Sequence, residues 1–218
     1  MELILNFLTE LKKNNSREWF TASKDWYQEV KNQHEEFTAQ LIKEIAAFDG
    51  DIGFLMPKDC IFRIYRDVRF SKDKDPFKTN MGAYMSRGGK NSHFSGYYLH
   101  IEPGSSFIGG GKWMPPADIL KLIRLEIYHF PGEFKSIINH PDFVSKFGVM
   151  NGDKLKKPPK DFPPEFADVD LLKYKSYVVG MNLTDETVRS SRLLSQAAEA
   201  FRTMMPFIRF LNRAVDER

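Results

Sequence analysis

The residue types best suited to chemistry are concentrated between positions 57 and 116. This stretch holds ten of the 32 Lys and Arg residues and five acidic residues, so its formal charge is +5 whereas the whole chain carries only +3. Eight of the 14 glycines lie between Gly82 and Gly111. Glycine lets another group approach the backbone closely, and cationic side chains bind anions. The stretch therefore predicts a local anion-binding surface.

Three arginines at intervals of three residues could grip such an anion. If CIFRIYRDVRF forms a strand, Arg63 and Arg69 share one face, where guanidinium groups hold phosphate or carboxylate bidentately. Lys72 and Lys78 would close over the anion from the following turn, and Arg66 would pair internally with an acidic residue. The alternative is an exposed face whose arginines pair with nearby aspartates, an arrangement that stabilises little. The predicted ligand-binding residues are Arg63, Tyr65, Arg69, Lys72, Lys78 and Tyr98.

A second constellation follows in GYYLHIEPG. Tyr98, His100 and Glu102 alternate, so on a strand they share one face. A histidine between a phenol and a carboxylate can act as a general acid or base, with the carboxylate fixing its tautomer. His100 and Glu102 are therefore the candidate catalytic residues. The alternative is a half-buried histidine bonded to its neighbours, because the sequence shows no evident nucleophile. Whether the protein is an enzyme stays open.

Metal and nucleotide fingerprints are missing from the sequence. The run Gly109-Gly110-Gly111 followed by Lys112 matches neither GxxxxGK[ST] nor GxGxxG, and the histidines show no HExxH spacing. Cys60, the single cysteine, has no CxxC partner and excludes an internal disulfide. We predict no metal and no cofactor, and we expect Cys60 to be a structural residue beside Ile61 and Phe62.

The composition indicates a soluble protein of the cytoplasm. No uncharged run approaches the roughly 20 residues that a membrane span requires. The first residues, MELILNFLTELKK, lack the basic region and the cleavage site of a signal peptide. At 218 residues the chain is most simply one domain, 1–218.

Hydrophobic periodicity places these residues within an α+β fold. Apolar residues at helical spacing predict a helix near each end of the chain, with a long helix after the first and shorter ones broken at Pro141. Alternating segments over 60–70, 81–85, 96–102, 106–110 and 176–183 predict strands, and the glycine-rich turn from Arg87 to Asn91 joins two of them. We expect a central antiparallel sheet flanked by N-terminal and C-terminal amphipathic helices.

Four segments together resemble the domain-of-unknown-function 2461 family. They are FLTELKKNNSREWF, CIFRIYRDVRFSKDKDPFKTNMGA, GYYLHIEPG and LLKYKSYVVG, and RIYRDVRFSKDK followed by PFKT is the most specific. The similarity covers essentially the whole chain. It implies a single intracellular domain of a widespread bacterial family, and it implies neither catalytic residues nor a cofactor.

The function that these observations favour is binding of a small anionic ligand, bearing phosphate or carboxylate, in a basic and glycine-edged cleft. The alternatives are a nucleic-acid-binding module or a module that binds an acidic partner through the same surface. Nucleic acid needs a continuous positive track with several phosphate contacts, whereas this chain offers one compact basic cluster. Nucleic acid is therefore the less favoured partner, and no membrane partner is expected.

Overall fold

The computed structural model describes residues 1–69, 72, 74–150 and 152–216. Helices occupy both ends of this part of the chain, and most of the strands lie between them. The helices are α1 (Glu2–Lys13), α2 (Arg17–Ala22), α3 (Lys24–Ala46), α4 (Pro57–Cys60), α5 (Ala117–His129), α6 (Pro131–Ile138), α7 (Pro141–Phe147), α8 (Val169–Leu172), α9 (Asp185–Arg189) and α10 (Leu193–Asp216), and one 3-10 turn spans Gly50–Ile52. The strands are β1 (Met81–Ser86), β2 (Gly96–Ile101), β3 (Phe107–Lys112) and β4 (Tyr177–Asn182).

The four strands form one antiparallel sheet in the order β1-β2-β3-β4. This arrangement confirms the predicted meander and the α+β class. The register places Tyr84 opposite Tyr98, Tyr98 opposite Gly109, and Gly109 opposite Gly180. Because directly paired residues point to the same side of a sheet, these four positions form a row across one face.

The long helices α3 and α10 pack against the other face of the sheet. Tyr97 of β2 is buried there, with its ring 5.3 Å from that of Phe201 in α10, and its hydroxyl donates to Asp49 Oδ2 at 2.7 Å. Gly110 lets Met204 of α10 approach the strand closely. The sheet therefore has one face in the helical core and one on which Tyr98 and its row neighbours lie.

The strand predicted over residues 60–70 is wrong for the described part of that segment. The chain there makes single bridges, Ile61 with Ala83 and Tyr65 with Phe77, instead of a ladder. Ile64 is buried whereas Phe62 is 37% exposed, so the predicted apolar face does not form. An extended segment becomes a strand only where a neighbour pairs with it continuously. Phe70 lies outside the described residues.

The helical predictions agree with the structure. The apolar stripes of α1, α3 and α10 are buried, and α6 and α7 are separate helices with α7 beginning at Pro141. Within the described ranges, no helix combines the length and apolar character needed to cross a membrane. Cys60 is buried at the end of α4. Burial, with a smaller contribution from the charge of Asp59, raises the pKa of its thiol to about 12, which disfavours the nucleophilic thiolate at neutral pH.

Candidate functional site

The sheet face opposite α10 forms the floor of a cleft with a cavity volume of about 660 Å³. Strands β2 and β3 supply its centre, and β4 and the end of α7 supply one side. Apolar and aromatic side chains dominate the wall. They are Phe62, Tyr84, Tyr98, Phe107, Trp113, Phe147, Val149, Met150, Val178 and Val179.

Glycines leave the sheet surface at the base of this cleft, its floor, without side chains. Gly109 and Gly180 lie side by side on β3 and β4, and no side chain rises from either. At the rim, Trp113 is 70% exposed and Val149 is 82% exposed. Large apolar side chains around a concave apolar surface are typical of a place where another molecule binds.

A chain of hydrogen bonds leads from the cleft along the same sheet face. The Tyr98 hydroxyl lies 3.0 Å from His100 Nδ1, His100 Nε2 lies 3.1 Å from Glu102 Oε2, and Thr79 Oγ1 donates to Glu102 Oε1 at 3.0 Å. An ionised carboxylate only accepts hydrogen bonds, so His100 carries its proton on Nε2 when neutral. Nδ1 is then an acceptor, and the Tyr98 hydroxyl donates to it. We call this chain the relay.

Packing holds the relay in place. The ring of Phe107 stacks on His100 with centroids 4.7 Å apart, and Phe62 makes an edge contact with Tyr98 at 6.3 Å. The Tyr98 hydroxyl crosses β1 at Gly82, where an added Cβ would lie only 2.6 Å from it. Burial, with a smaller effect of the Glu102 charge, raises the pKa of Tyr98 to about 12. The phenol is therefore protonated at neutral pH.

Two lysines bring positive charge to the cleft. The Lys112 ammonium donates to the carbonyl oxygens of Ser92 and Phe94 at 2.9 and 3.2 Å, and that of Lys90 donates to the carbonyl of Lys58 at 2.7 Å. Burial lowers the pKa of Lys112. Over the described ranges, neither ammonium pairs with a carboxylate. The hydrogen-bond partners of both ammonium groups in this part of the chain are backbone carbonyls.

The predicted site residues fall into separate groups. Tyr98, His100 and Glu102 are brought together as predicted from their alternation. Arg69 bonds to Asp67 at 2.9 and 2.7 Å on the exposed surface. Tyr65 packs 5.4 Å from the ring of Phe77, away from the cleft wall. Four of the predicted ligand-binding residues are exposed and lie outside the cleft wall, namely Arg63, Tyr65, Arg69 and Lys72.

Lys78 lies between these groups. Its ammonium is 5.7 Å from the centroid of Phe62, a residue of the cleft wall. Burial and the nearby charge of Arg63 lower the pKa of Lys78. The clamp of Arg63, Arg69, Lys72 and Lys78 around an anion stays a prediction.

Several residues of the cleft are not among the residues predicted from the sequence. Phe107 could have been predicted, because Phe107 and Gly109 alternate on a predicted strand and must share a face. Phe147 and Val149 come from a distant segment, and their approach to the sheet has no local signal. No group of three or more His, Cys, Asp or Glu that could hold a metal ion occurs among the residues described.

Comparison with known proteins gives one family. No curated protein and no solved structure matches the chain. The family model described as conserved hypothetical protein (DUF2461) matches residues 3–210, nearly the whole sequence, and it is the family that the four sequence segments indicated. This chain therefore belongs to the DUF2461 family of conserved hypothetical proteins.

Proposed function

We propose that the cleft binds a small molecule that has an apolar, planar body and an anionic phosphate or carboxylate group. The observation that carries this proposal is the uncovered sheet face, floored by Gly109 and Gly180 and walled by aromatic side chains. Its volume of about 660 Å³ falls in the range of about 300–1,000 Å³ that is usual for ligand sites.

The apolar body would lie on the glycine floor. A flat ring can approach a backbone that lacks Cβ atoms, and Phe107 and Trp113 offer faces and edges to it. Each square ångström of apolar surface removed from water contributes about 25 cal/mol, so this part of the ligand supplies most of the affinity.

The anionic group would contact Lys90 or Lys112. Burial lowers the pKa of Lys112, which means that the surroundings disfavour its charge. An anion beside it would offset that cost, because charges attract more strongly where water is excluded. This feature supports an anion as part of the ligand.

The relay would exchange a proton with the bound molecule. As Tyr98 accepts a proton from a ligand group, its own proton passes to His100 Nδ1, and the imidazolium formed is stabilised by Glu102 at 3.1 Å. The reverse transfer returns both protons. In this proposal His100 and Glu102 are the catalytic pair, and Tyr98 is the group that touches the ligand.

Proton–nitrogen NMR tests the relay. We expect the Nε2–H proton of His100 to be visible at neutral pH, because its bond to Glu102 and its burial slow exchange with water. Glu102→Ala should abolish the signal, and Tyr98→Phe should keep it. The exposed His93, His129 and His140 should give no such signal and serve as internal controls. A proton found on Nδ1 instead of Nε2 would contradict the relay.

The rival nucleic-acid hypothesis fits the cleft less well. Polymer binding depends on a continuous run of phosphate contacts, whereas the cleft offers two lysines in a largely apolar wall. The wall is better suited to a small apolar body.

Binding is tested with two fluorescent probes of similar shape, anionic anilinonaphthalene sulfonate and uncharged N-phenylnaphthylamine. We expect saturable binding of one sulfonate probe per chain, about tenfold tighter than the neutral probe at low ionic strength. Trp113→Ala should weaken both probes by about threefold to tenfold, because it removes a ring contact. Lys90→Met should weaken only the sulfonate.

Phe54→Ala is the matched control. Phe54 is 94% exposed and lies outside the cleft wall, so its removal should leave both affinities unchanged. The proposed ligand class would be refuted if Phe54→Ala and Trp113→Ala lost equal probe affinity, or if the unchanged protein bound the two probes with equal affinity.

A further inference from the structure

A second cavity, of about 560 Å³, lies on the far side of the relay from the cleft. We call it the polar pocket. It is formed by the end of α1 and by the segment that precedes β1. Its lining residues are Lys12, Arg66, Asp75, Phe77, Lys78, Thr79 and Asn80. Unlike the cleft, it is lined almost entirely by polar and charged side chains.

The charges of the polar pocket are unbalanced. Of the lining residues that the structure describes, three are cationic and one, Asp75, is acidic. In the portion of the chain that the structure describes, neither Lys12 nor Lys78 pairs with a carboxylate. Lys78 is half-buried, and Arg63 is near enough for its charge to lower the pKa of Lys78 further. Lys78 thus carries a half-buried charge beside a second cation, and an anion bound next to it would recover the free energy that this costs.

The walls of the polar pocket are held by long-range hydrogen bonds. The Asn15 side chain accepts from the backbone N–H of Phe77 at 3.1 Å and donates to the carbonyl of Phe77 at 3.0 Å. The N–H of Lys78 donates to the carbonyl of Ile64 at 2.8 Å, and that of Arg66 donates to the carbonyl of Pro76 at 3.0 Å. These bonds fix the segment that carries Lys78 against Asn15, just after α1, and against residues 64–66, so the pocket is formed before any ligand arrives.

The relay ends at this pocket. Thr79 lines it, and the Thr79 hydroxyl donates to Glu102 at 3.0 Å. That bond turns the Glu102 carboxylate toward His100 and Thr79, and Glu102 is not part of the pocket lining. Glu102 is therefore linked to the pocket through Thr79 without contributing an atom to its lining.

We infer that the polar pocket is a second binding site, for the phosphate group of a small molecule. Lys12 lines the pocket from the end of α1 and Lys78 from the segment before β1, and Asn80 adds an amide donor. A group with about two negative charges and oxygens on all sides matches donors that converge from several directions. A carboxylate, with one charge and two oxygens, satisfies fewer of them.

Inorganic phosphate and pyrophosphate are the probes for this site. At ionic strength held constant with sodium chloride, both should raise the thermal unfolding midpoint in a saturable way, as expected for ligands that bind only the folded state. Lys78→Ala should weaken phosphate binding by about tenfold or more, because it removes a charged donor. Lys12→Ala should weaken it less, since Lys12 is exposed.

The matched control is Lys43→Ala, which removes an exposed lysine of α3 outside the polar pocket and should change phosphate affinity by less than about twofold. Lys78→Gln provides a second variant if the alanine variant fails to fold. The inference is overturned if stabilisation by phosphate does not saturate, or if it persists unchanged in a folded Lys78 variant. Because the fluorescent probes report on the cleft, either site can fail its test while the other passes.

Discussion

Lowering the pH from 7 to 5 should cost the protein about 2 kcal/mol of unfolding free energy through one buried histidine, His34. His34 is fully buried in α3, and neither ring nitrogen has a hydrogen-bond partner among the residues that the structure describes. Burial lowers its pKa from 6.5 to about 4. In the unfolded chain His34 takes up a proton as the pH falls through 6.5, but in the folded chain it does so only near 4. Stability is therefore lost across that interval.

The effect is measured by urea unfolding at the two pH values. His34→Leu should remove most of the acid-dependent loss of unfolding free energy. It should also raise stability at pH 7 if the apolar side chain fits, because it removes two buried ring nitrogens that lack hydrogen bonds within the described part of the chain. His140→Gln, at an exposed histidine, should behave like the unchanged protein. Equal acid-dependent losses in His34→Leu and the unchanged protein would show that other groups cause the sensitivity.

Gly111→Ala should destabilise the protein by about 3 kcal/mol or more. Gly111 lies at the end of the cleft floor with φ at +111°, a conformation that alanine adopts only with strain. An added Cβ would also collide with the carbonyl oxygen of Tyr177 on β4 and lie 3.0 Å from the ring of Phe207. Because the Tyr177 atom belongs to the backbone of a paired strand, the clash cannot be relieved by rotating a side chain.

Gly132→Ala is the matched substitution at an open site. Gly132 is in α6 and a Cβ there meets nothing within 4 Å, so the change should stabilise the helix by up to about 1 kcal/mol. In Gly109→Ala the added Cβ would lie 3.1 Å from the carbonyl oxygen of Val179, so the stability of this variant should lie between those of Gly111→Ala and Gly132→Ala. Urea midpoints in any other order would contradict this description of the cleft floor.

The parts of the fold that depend on local periodicity could be predicted from the sequence. Alternation in GYYLHIEPG placed Tyr98, His100 and Glu102 on one face, and the structure joins them by hydrogen bonds. Helical spacing indicated the buried stripes of α1, α3 and α10 in the same way. Both patterns are properties of neighbouring residues, so a single sequence contains them.

Features that depend on distant contacts could not be read in this way. Residues 60–70 alternate like a strand, but only isolated bridges form because β1 pairs with them at just one position and Phe77 at another. The cleft wall joins Phe62 to Phe147 and Val149, which are remote in sequence. The basic cluster could be predicted from its charge. Its residues lie in three places, an exposed Arg69–Asp67 pair, the polar pocket and the cleft, and this distribution depends on how the chain folds.

The central claim is that the uncovered sheet face is a ligand site, and its most direct test is the crystal structure of the complex with anilinonaphthalene sulfonate. We expect the rings of the probe to lie on Gly109 and Gly180 beneath Trp113, with the sulfonate within hydrogen-bonding distance of Lys90 or Lys112. Density for the probe only elsewhere, such as on Phe54, with the cleft lacking it, would contradict the claim.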